Sequence, residues 1–390
     1  MQNFEFQLST RIVFGRDTIK QTGAEIARSC RKVLLVCGKG SVRRSGVFDA
    51  VVASLRDAGV AWVEFGGVRS NPLLSQVHEA VQLAKREGVD GILGVGGGSA
   101  IDSAKAIAAG AASDRDVWAF IDGTATVEKA LPVFAVITLA ATGTELNGLA
   151  VVTNDITKQK WPLRSPLIQP RVSILDPTAT FSVPRDYTAY GGVDAFSHVV
   201  EAYLVWPEPS TPLQDRMSEA LAMTIVEAAE TCVRSPHDYE ARASLMWAAA
   251  LGWCGLIPAG AGRARLPNHM MEHSLSALHD VPHGAGLSAI IPGWARYMVE
   301  SGQSGKLPRL ARNVFGVNEK DDRKAALAGI AAFEAWCQRL GSPTRIGQFG
   351  SIPKSALPAI VDNAAVTAIA WGMGDAYPRD VIAAVLDGCW

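Results

Sequence analysis

The feature that most constrains the fold of this 390-residue chain is a change in its hydrophobic pattern near residue 185. Before that point, short apolar runs alternate with amphipathic segments of helical periodicity. The runs lie at 32–38, 61–65, 90–97 and 132–138, and the helical segments lie at 45–59 and 73–88. Apolar runs between amphipathic helices are typical of strands that are buried on both faces. The pattern therefore predicts an α/β domain with a Rossmann-like parallel sheet covered by helices.

Beyond residue 185, the chain has long, alanine-rich segments with helical spacing and no convincing strand. Three of them cover 215–235, 238–253 and 323–341. A chain of this length exceeds what one ordinary hydrophobic core accommodates. We therefore predict an α/β domain over residues 1–185 and an all-α domain over residues 186–390. A cleft between two such domains is a natural place for a cofactor and a substrate.

Composition and charge argue against several classes of protein. The formal net charge of −1 disfavours a basic face for nucleic acid. The first residues lack the basic and apolar regions of a signal peptide. The uncharged stretch at 247–262 contains four Gly and Pro258, so we expect no membrane span. The six cysteines are scattered without a C-x-x-C pair, which suits a reducing cytoplasm.

A glycine-rich turn follows the apolar run at 90–97 and opens a helical segment. Gly97 and Gly98 carry no Cβ that would block a phosphate, and Ser99 is a favourable N-cap residue. Asp102, three positions later, predicts a capping box, and the free N–H groups of a helix start attract anions. The sequence G-x-G-G-G-S differs from the usual dinucleotide fingerprint, and such turns also serve plain tight packing. These four residues are candidate cofactor-binding residues.

A second polar loop, TLAATGTELN at 138–147, follows the next strand run. Thr138, Thr142 and Thr144 offer hydroxyls to a phosphate or a ribose. Because parallel strands end at one edge of their sheet, the two loops are expected side by side. Together they favour a dinucleotide cofactor.

Four of the seven histidines fall within fifteen residues near the middle of the predicted helical domain. His269 and His273 are four residues apart, which places both on one face of a helix. Pro282 forces a break, so His283 is able to approach the same point from another direction. A single histidine in an apolar helix is usually a core residue, and His279 is best interpreted in that way.

An aspartate and a fifth histidine lie upstream. Asp194 and His198 are also four residues apart and share a helix face. One aspartate with several histidines is a mixed oxygen and nitrogen donor set, suited to Fe(II), Zn(II), Mn(II) or Ni(II). The spacing thus predicts a metal site, and the donor set leaves the metal open.

Four motifs make the chain resemble the iron-containing (group III) alcohol dehydrogenases. They occur in the family's order and cover the chain almost from end to end, at 96–105, 138–147, 174–203 and 268–284. Within the family, the segments QDRMSEALAMTIVEAAETC and ASLMWAAALG resemble the butanol dehydrogenase and NADPH-dependent aldehyde reductase branch. The resemblance implies a dehydroquinate synthase-like two-domain architecture and a homodimer.

The resemblance also implies roles for individual residues. The metal ligands would be Asp194, His198, His269 and His283. His273 matches a histidine beside the nicotinamide and the substrate, and is the candidate catalytic residue. The residues that match cofactor contacts are Asn71, Gly97, Gly98, Ser99, Thr138, Thr142 and Lys160.

The expected reaction is hydride transfer between a nicotinamide and a primary alcohol or aldehyde, with the metal as Lewis acid. His273 or a water would relay the proton, with His279 a distant second. Relatives that prefer NAD carry an aspartate where this chain has Gly38. Because Lys39, Ser41, Arg43 and Arg44 follow, we predict NADP(H). By resemblance the metal is Fe(2+), with Zn(2+) as its competitor.

Other functions fit parts of the pattern. Relatives in fold include NAD-linked zinc polyol dehydrogenases of the glycerol type, dehydroquinate synthase-like lyases and maleylacetate reductases. The apolar segment at 246–257 favours medium-chain aldehydes over their polyol or anionic substrates. A metal-dependent hydrolase would need no dinucleotide loops, and a non-catalytic binding protein would need no metal ligands.

Overall fold

A computed structural model describes residues 1–208 and 210–390 of the chain. Six strands form one parallel sheet in the order β1-β8-β5-β4-β2-β3, and two more form an antiparallel hairpin, β6-β7. The strands are β1 (Arg11–Phe14), β2 (Lys32–Gly38), β3 (Ala61–Val68), β4 (Gly91–Gly96), β5 (Val133–Ile137), β6 (Leu149–Thr153), β7 (Lys160–Arg164) and β8 (Val172–Leu175). The parallel sheet predicted from the apolar runs is confirmed.

Helices cover both faces of this sheet. They are α1 (Thr22–Ala27), α2 (Ser41–Arg44), α3 (Val47–Asp57), α4 (Leu74–Glu87), α5 (Gly98–Ala111) and α6 (Val117–Ile121). Alternate residues of β2 belong to two separate cores, with Leu34 and Val36 in one and Val33 and Leu35 in the other. A strand that contributes to two cores needs apolar residues at consecutive positions, which explains the unbroken run in the sequence.

The rest of the chain is helical. Its helices are α7 (Arg185–Val205), α8 (Pro212–Arg234), α9 (Tyr239–Gly252), α10 (Pro267–His279), α11 (His283–Glu300), α12 (Leu307–Phe315), α13 (Asp322–Leu340), α14 (Leu357–Ala370) and α15 (Arg379–Gly388). Among the described residues, no strand follows β8, which confirms the predicted helical domain. Over residues 1–208 and 210–390, no helix is long and apolar enough to cross a membrane.

Backbone contacts divide the chain into two compact units. The α/β unit contains Gln7–Val183 and Pro236–Ala250, and the helical unit contains Met1–Phe6, Pro184–Ser235 and Leu251–Trp390. The predicted boundary at 185 lies close to the main division. Two short segments, Met1–Phe6 and Pro236–Ala250, join the unit from which they are distant along the chain, and the hydrophobic pattern does not predict this.

Three features of the α/β unit escaped the sequence analysis. β1 and β8 have only four residues each, too few for a clear periodic signal, and the hairpin strand β7 is interrupted by Pro162. The helices and strands that were predicted are present, with ends displaced by a few residues.

Candidate metal centre and cofactor loops

Three helices of the helical unit bring the predicted metal ligands together. α7 carries Asp194 and His198 one turn apart, on a stretch of the helix that is almost entirely buried. α10 carries His269, and His283 is the first residue of α11. Gly284 allows this approach, since a Cβ there would lie 2.0 Å from the carbonyl oxygen of Tyr190 in α7.

The side chains of these four residues converge. Oδ1 of Asp194 lies 3.3 Å from Nε2 of His198 and 3.7 Å from Nε2 of His283. The ring centres of His198 and His269 are 4.4 Å apart, and those of His269 and His283 are 5.2 Å apart. Ligand atoms of Asp194, His198 and His269 all lie within 4.8 Å of one another. One carboxylate and three imidazoles in this space fit a divalent transition metal.

The electrostatics of the cluster also suit a cation. Burial, and then the neighbouring His269, hold the pKa of His198 well below its ordinary value. A neutral imidazole keeps the nitrogen lone pair that a metal requires. The ring of Trp253 stacks on His198 at 5.1 Å, so one side of the cluster is aromatic.

Two buried glutamates support the histidines, and the sequence analysis missed both. Oε2 of Glu201 lies 2.6 Å from Nδ1 of His269, and its Oε1 accepts the backbone N–H of Asn268. Glu272 accepts hydrogen bonds from Nδ1 of His283 and from the hydroxyl of Ser276.

A carboxylate that accepts from Nδ1 fixes the tautomer in which Nε2 offers its lone pair. Burial raises the pKa of Glu201 to about 8, although hydrogen bonds from the backbone N–H groups of Asn268 and His269 act to lower it. A cation in the cluster would favour the ionised form of this carboxylate.

His273, the candidate catalytic residue, lies beside this cluster. Its ring centre is 5.4 Å from that of His283 and 5.2 Å from Trp371, which it meets edge-on. His273, His283 and Glu272 form a second group whose ligand atoms lie within 4.8 Å of one another. His279 belongs to neither group and ends α10, where burial lowers its pKa.

The first predicted cofactor loop has a different helix start from the one predicted. The N-cap residue of α5 is Gly97, and Ser99 lies within the first turn. Asp102 does not turn back to the helix start: it accepts from the hydroxyl of Thr144 at 2.6 Å and from the N–H of Val151 at 3.0 Å. The predicted capping box is therefore wrong, because the helix starts two residues earlier and Asp102 accepts hydrogen bonds from a distant part of the chain.

The two loops lie directly against each other. The N–H of Thr138 donates to the carbonyl of Gly96 at 2.9 Å. A Cβ at Gly98 would lie 2.8 Å from the side chain of Thr142, so glycine is required there. Thr138 and Thr142 are partly exposed. Thr144 is buried and its hydroxyl is bonded within the protein, which contradicts the expectation that it serves a ligand.

A fully buried lysine, also missed in the sequence, lies behind these loops. Nζ of Lys105 donates to oxygens of Thr144, Asn147 and Leu149. Burial lowers the pKa of Lys105 to about 8 and raises that of its buried neighbour Glu145 to about 7. A signal was available, since Asp102 and Lys105 are the charged residues of the small, apolar helix α5.

Two further candidates for cofactor contact, far apart in sequence, meet in the structure. Nζ of Lys160, at the start of β7, lies 3.0 Å from Oδ1 of Asn71, before α4. Both residues are buried. The charge of Lys160 also acts on Asp102, whose pKa burial raises and this cation lowers.

The residues after β2 differ in whether their charges are available to bind a phosphate. Gly38 ends the strand, and Ser41 begins α2. Arg43 pairs with Glu64 at 2.6 Å and lies over the ring of Phe48 at 3.7 Å. Arg43 therefore has an anion partner already, which leaves Lys39 and Arg44 as the better candidates for an added phosphate.

The chain matches two family models, "Iron-containing alcohol dehydrogenase" over residues 9–177 and "Fe-containing alcohol dehydrogenase family, C-terminal" over residues 188–388. It is 40% identical to "Probable NADH-dependent butanol dehydrogenase 1" of Bacillus subtilis, over 93% of this chain and 94% of that protein. It is 35% identical to "NADPH-dependent aldehyde reductase YqhD" of Escherichia coli, over 93% of this chain and 92% of that protein. The crystal structure of "NADH-dependent butanol dehydrogenase A" from Thermotoga maritima is similar with a TM-score of 0.94 at 41% identity, over 100% of this chain and 99% of that one.

Proposed function

The chain belongs to the iron-containing alcohol dehydrogenase family, and from that membership we propose an NADP(H)-linked alcohol dehydrogenase and aldehyde reductase. Its reaction is hydride transfer between the nicotinamide and a primary alcohol or aldehyde. The observation that carries the proposal is the convergence of Asp194, His198, His269 and His283 in one buried cluster.

These four residues would hold a divalent metal, for which we propose Fe(2+), with Zn(2+) as the alternative. When bound, such a metal supplies Lewis-acid polarisation of a carbonyl oxygen. The protein's own contribution is to fix the donors: Glu201 and Glu272 hold the His269 and His283 rings with Nε2 towards Asp194.

We propose that His273 exchanges a proton with the substrate oxygen. Its imidazole is buried beside the cluster and meets His283 and Trp371. The partly exposed rings of Trp253 and Trp371 lie next to ligand or candidate catalytic histidines, and aromatic surface favours an apolar substrate chain over a polyol. A medium-chain aldehyde such as butanal is therefore the proposed substrate class.

The nicotinamide cofactor would lie against the loops that contain Gly97, Gly98, Ser99, Thr138 and Thr142. We propose NADP(H) rather than NAD(H). Supporting this choice, Gly38 puts no acid at the end of β2, and Lys39 and Arg44 lie close by in the chain. The named preferences of the relatives differ, since the Bacillus protein is called NADH-dependent and the Escherichia coli protein NADPH-dependent.

The proposal extends to the oligomeric state and the compartment. β1 forms an edge of the six-stranded sheet, and an edge strand is a surface on which a second copy of the chain is able to pair, so we propose a homodimer. In the described part of the chain, the six cysteines are buried and none forms a disulfide, which suits a reducing compartment, so we propose a cytoplasmic enzyme.

The test is consumption of reduced nicotinamide, followed by absorbance, with metal-stripped protein and butanal. NADPH and NADH are compared before and after addition of Fe(II) or Zn(II), with glycerol oxidation measured in parallel. We expect consumption of NADPH only after metal is restored. Preference for NADH would overturn the cofactor assignment and keep the enzyme class. Preference for glycerol with Zn(II) and NAD would indicate a polyol dehydrogenase. Absence of nicotinamide binding would favour a metal-dependent hydrolase.

A further inference from the structure

We infer that Lys105 is a positioning residue for the nicotinamide cofactor: with Asp102, it clamps residues 144–151 against α5 and thereby holds the two cofactor loops together. The inference rests on the proposed function, because it takes those loops as the cofactor site. We call this arrangement of Lys105, Asp102 and Thr144 the α5 clamp.

The contacts of Lys105 are those of a bound cation. Its side chain is fully buried, and Nζ donates to the carbonyl and hydroxyl oxygens of Thr144, the latter at 2.7 Å. It also lies 2.8 Å from the carbonyl oxygens of Asn147 and Leu149, and 3.2 Å from Oδ1 of Asn147. An ammonium group has three protons, so five oxygens share them. One charge thus organises three residues: Thr144 at the start of a 3-10 turn, Asn147 directly after that turn and Leu149 at the start of β6.

Asp102 completes the clamp from the preceding turn of the same helix. It accepts from the Thr144 hydroxyl at 2.6 Å and from the Val151 N–H at 3.0 Å. The Thr144 hydroxyl therefore accepts from Lys105 and donates to Asp102. Charge-assisted hydrogen bonds of this kind are about twice as strong as neutral ones.

The clamp acts on the cofactor loops through short connections. α5 begins at Gly98, in the first loop, and Thr144 lies in the second loop, two residues after Thr142. Gly98 and Thr142 are so close that a single Cβ would not fit between them. A displacement of Thr144 would therefore move Thr142 against the start of α5, where the phosphates of a dinucleotide would lie.

Packing alone does not explain a lysine at this position. A methionine has nearly the same length and avoids the desolvation of a buried charge, which lowers the pKa of Lys105. What methionine lacks is the ability to fix the directions of backbone carbonyls. The lysine is thus explained by the geometry that it imposes on the loop.

The experiment compares Lys105→Met with the unmodified enzyme by direct titration with NADPH, followed by nicotinamide fluorescence. We expect the Kd to rise roughly ten- to hundredfold, because a displaced loop loses a hydrogen bond to a charged phosphate and one such bond contributes a factor of about this size. The KM for the aldehyde and the metal content are expected to stay near their original values. Lys85→Met is the matched control, since Lys85 bonds to Ser113 and Asp114 on the surface of the same unit.

A second pair of variants decides the matter if Lys105→Met does not fold. Thr144→Val removes the shared hydroxyl and keeps the shape of the side chain, whereas Thr144→Ser keeps the hydroxyl. We expect weaker NADPH binding in the valine variant and recovery in the serine variant. A folded Lys105→Met or Thr144→Val protein with the original Kd would overturn the clamp. If the unmodified enzyme binds neither NADPH nor NADH, the proposed function fails first, and the inference fails with it.

Discussion

In the α/β unit, the buried ammonium of Lys105 is surrounded by oxygens of its own chain, whereas in the helical unit a carboxylate and three imidazoles converge on one point. A buried charge is tolerated only with a counterpart of opposite sign or with polar contacts. The α/β unit contains its counterpart, and the helical unit is built to receive one. The first cluster is therefore expected to stabilise the fold without a ligand, and the second to depend on a metal.

The largest effect is expected when the helical cluster loses a donor. His269→Ala removes one imidazole and leaves the carboxylate of Glu201 without the ring that it holds. We expect loss of bound metal on dialysis and a fall in kcat/KM of roughly a thousandfold, because Lewis-acid stabilisation is worth several kcal/mol.

His279→Ala is the control for metal content, since His279 lies on the same helix outside both groups of possible ligands. Full metal content in the His269→Ala protein, measured by elemental analysis, would show that the cluster is not the metal site. The contrast between the two units would then fail.

A smaller effect is expected from the support behind the donors. Glu272→Gln keeps the size of the side chain but no longer offers a carboxylate to Nδ1 of His283. Supporting groups of this kind typically contribute 10- to 100-fold in metal affinity. We expect a loss of about that size in competition with a chelator, and no loss in Glu227→Gln, which is exposed on α8. Equal affinities of all three proteins would refute the supporting role.

The charges of the α/β unit should be visible in the pH dependence of stability. Burial raises the pKa of Glu145 to about 7, so the folded state binds this proton more tightly than the unfolded state. The resulting stability is complete below the ordinary pKa of 4.5 and is lost as pH rises through about 7.

Glu145→Gln cannot ionise and should escape this loss. Relative to the unmodified protein, the variant should gain on the order of 1–3 kcal/mol between pH 5 and pH 8. Urea unfolding at both pH values measures the difference. Parallel pH profiles for the two proteins would contradict the assignment.

The smallest effect concerns the cofactor's phosphate. Arg44→Ala should raise the KM for NADPH several-fold and leave the KM for NADH nearly unchanged, because only NADPH carries the added phosphate. The effect is small, about 1 kcal/mol, because water screens an exposed ion contact. Arg43→Ala should change the ratio of the KM values for NADPH and NADH less than Arg44→Ala does, since Arg43 already pairs with Glu64. Steady-state kinetics with both cofactors would show the difference, and equal changes for NADPH and NADH would remove the support for an NADP site.

The sequence was informative where one element alone determines the pattern. A strand between two cores must be apolar throughout, and histidines four apart must share a helix face, so β2 and the His269–His273 pair were predictable. β1 was not, because a strand of four residues, two exposed and two half-buried, carries no distinctive period. The start of α5 was predicted wrongly because the partners of Asp102 lie 42 and 49 residues away.

Residues that act through others were the hardest to predict. Glu201, Glu272 and Lys105 are ordinary helix residues by composition, and charged side chains usually face water. Only the folded chain shows that these three are buried and which groups they contact. The sequence also does not show which of the cations after β2 already has an acidic partner, since the pairing of Arg43 with Glu64 is invisible in a list of cations.

The segment Pro236–Ala250 has a consequence for biosynthesis. It packs in the α/β unit, where Tyr239 lies under Arg16 and Trp247 meets Phe14. During translation, the sheet is complete once β8 has been made, yet this segment is still absent. At about 5–20 residues per second, the ribosome needs several more seconds to supply it. The nascent α/β unit must therefore wait until α9 emerges before Phe14 is able to pack against Trp247.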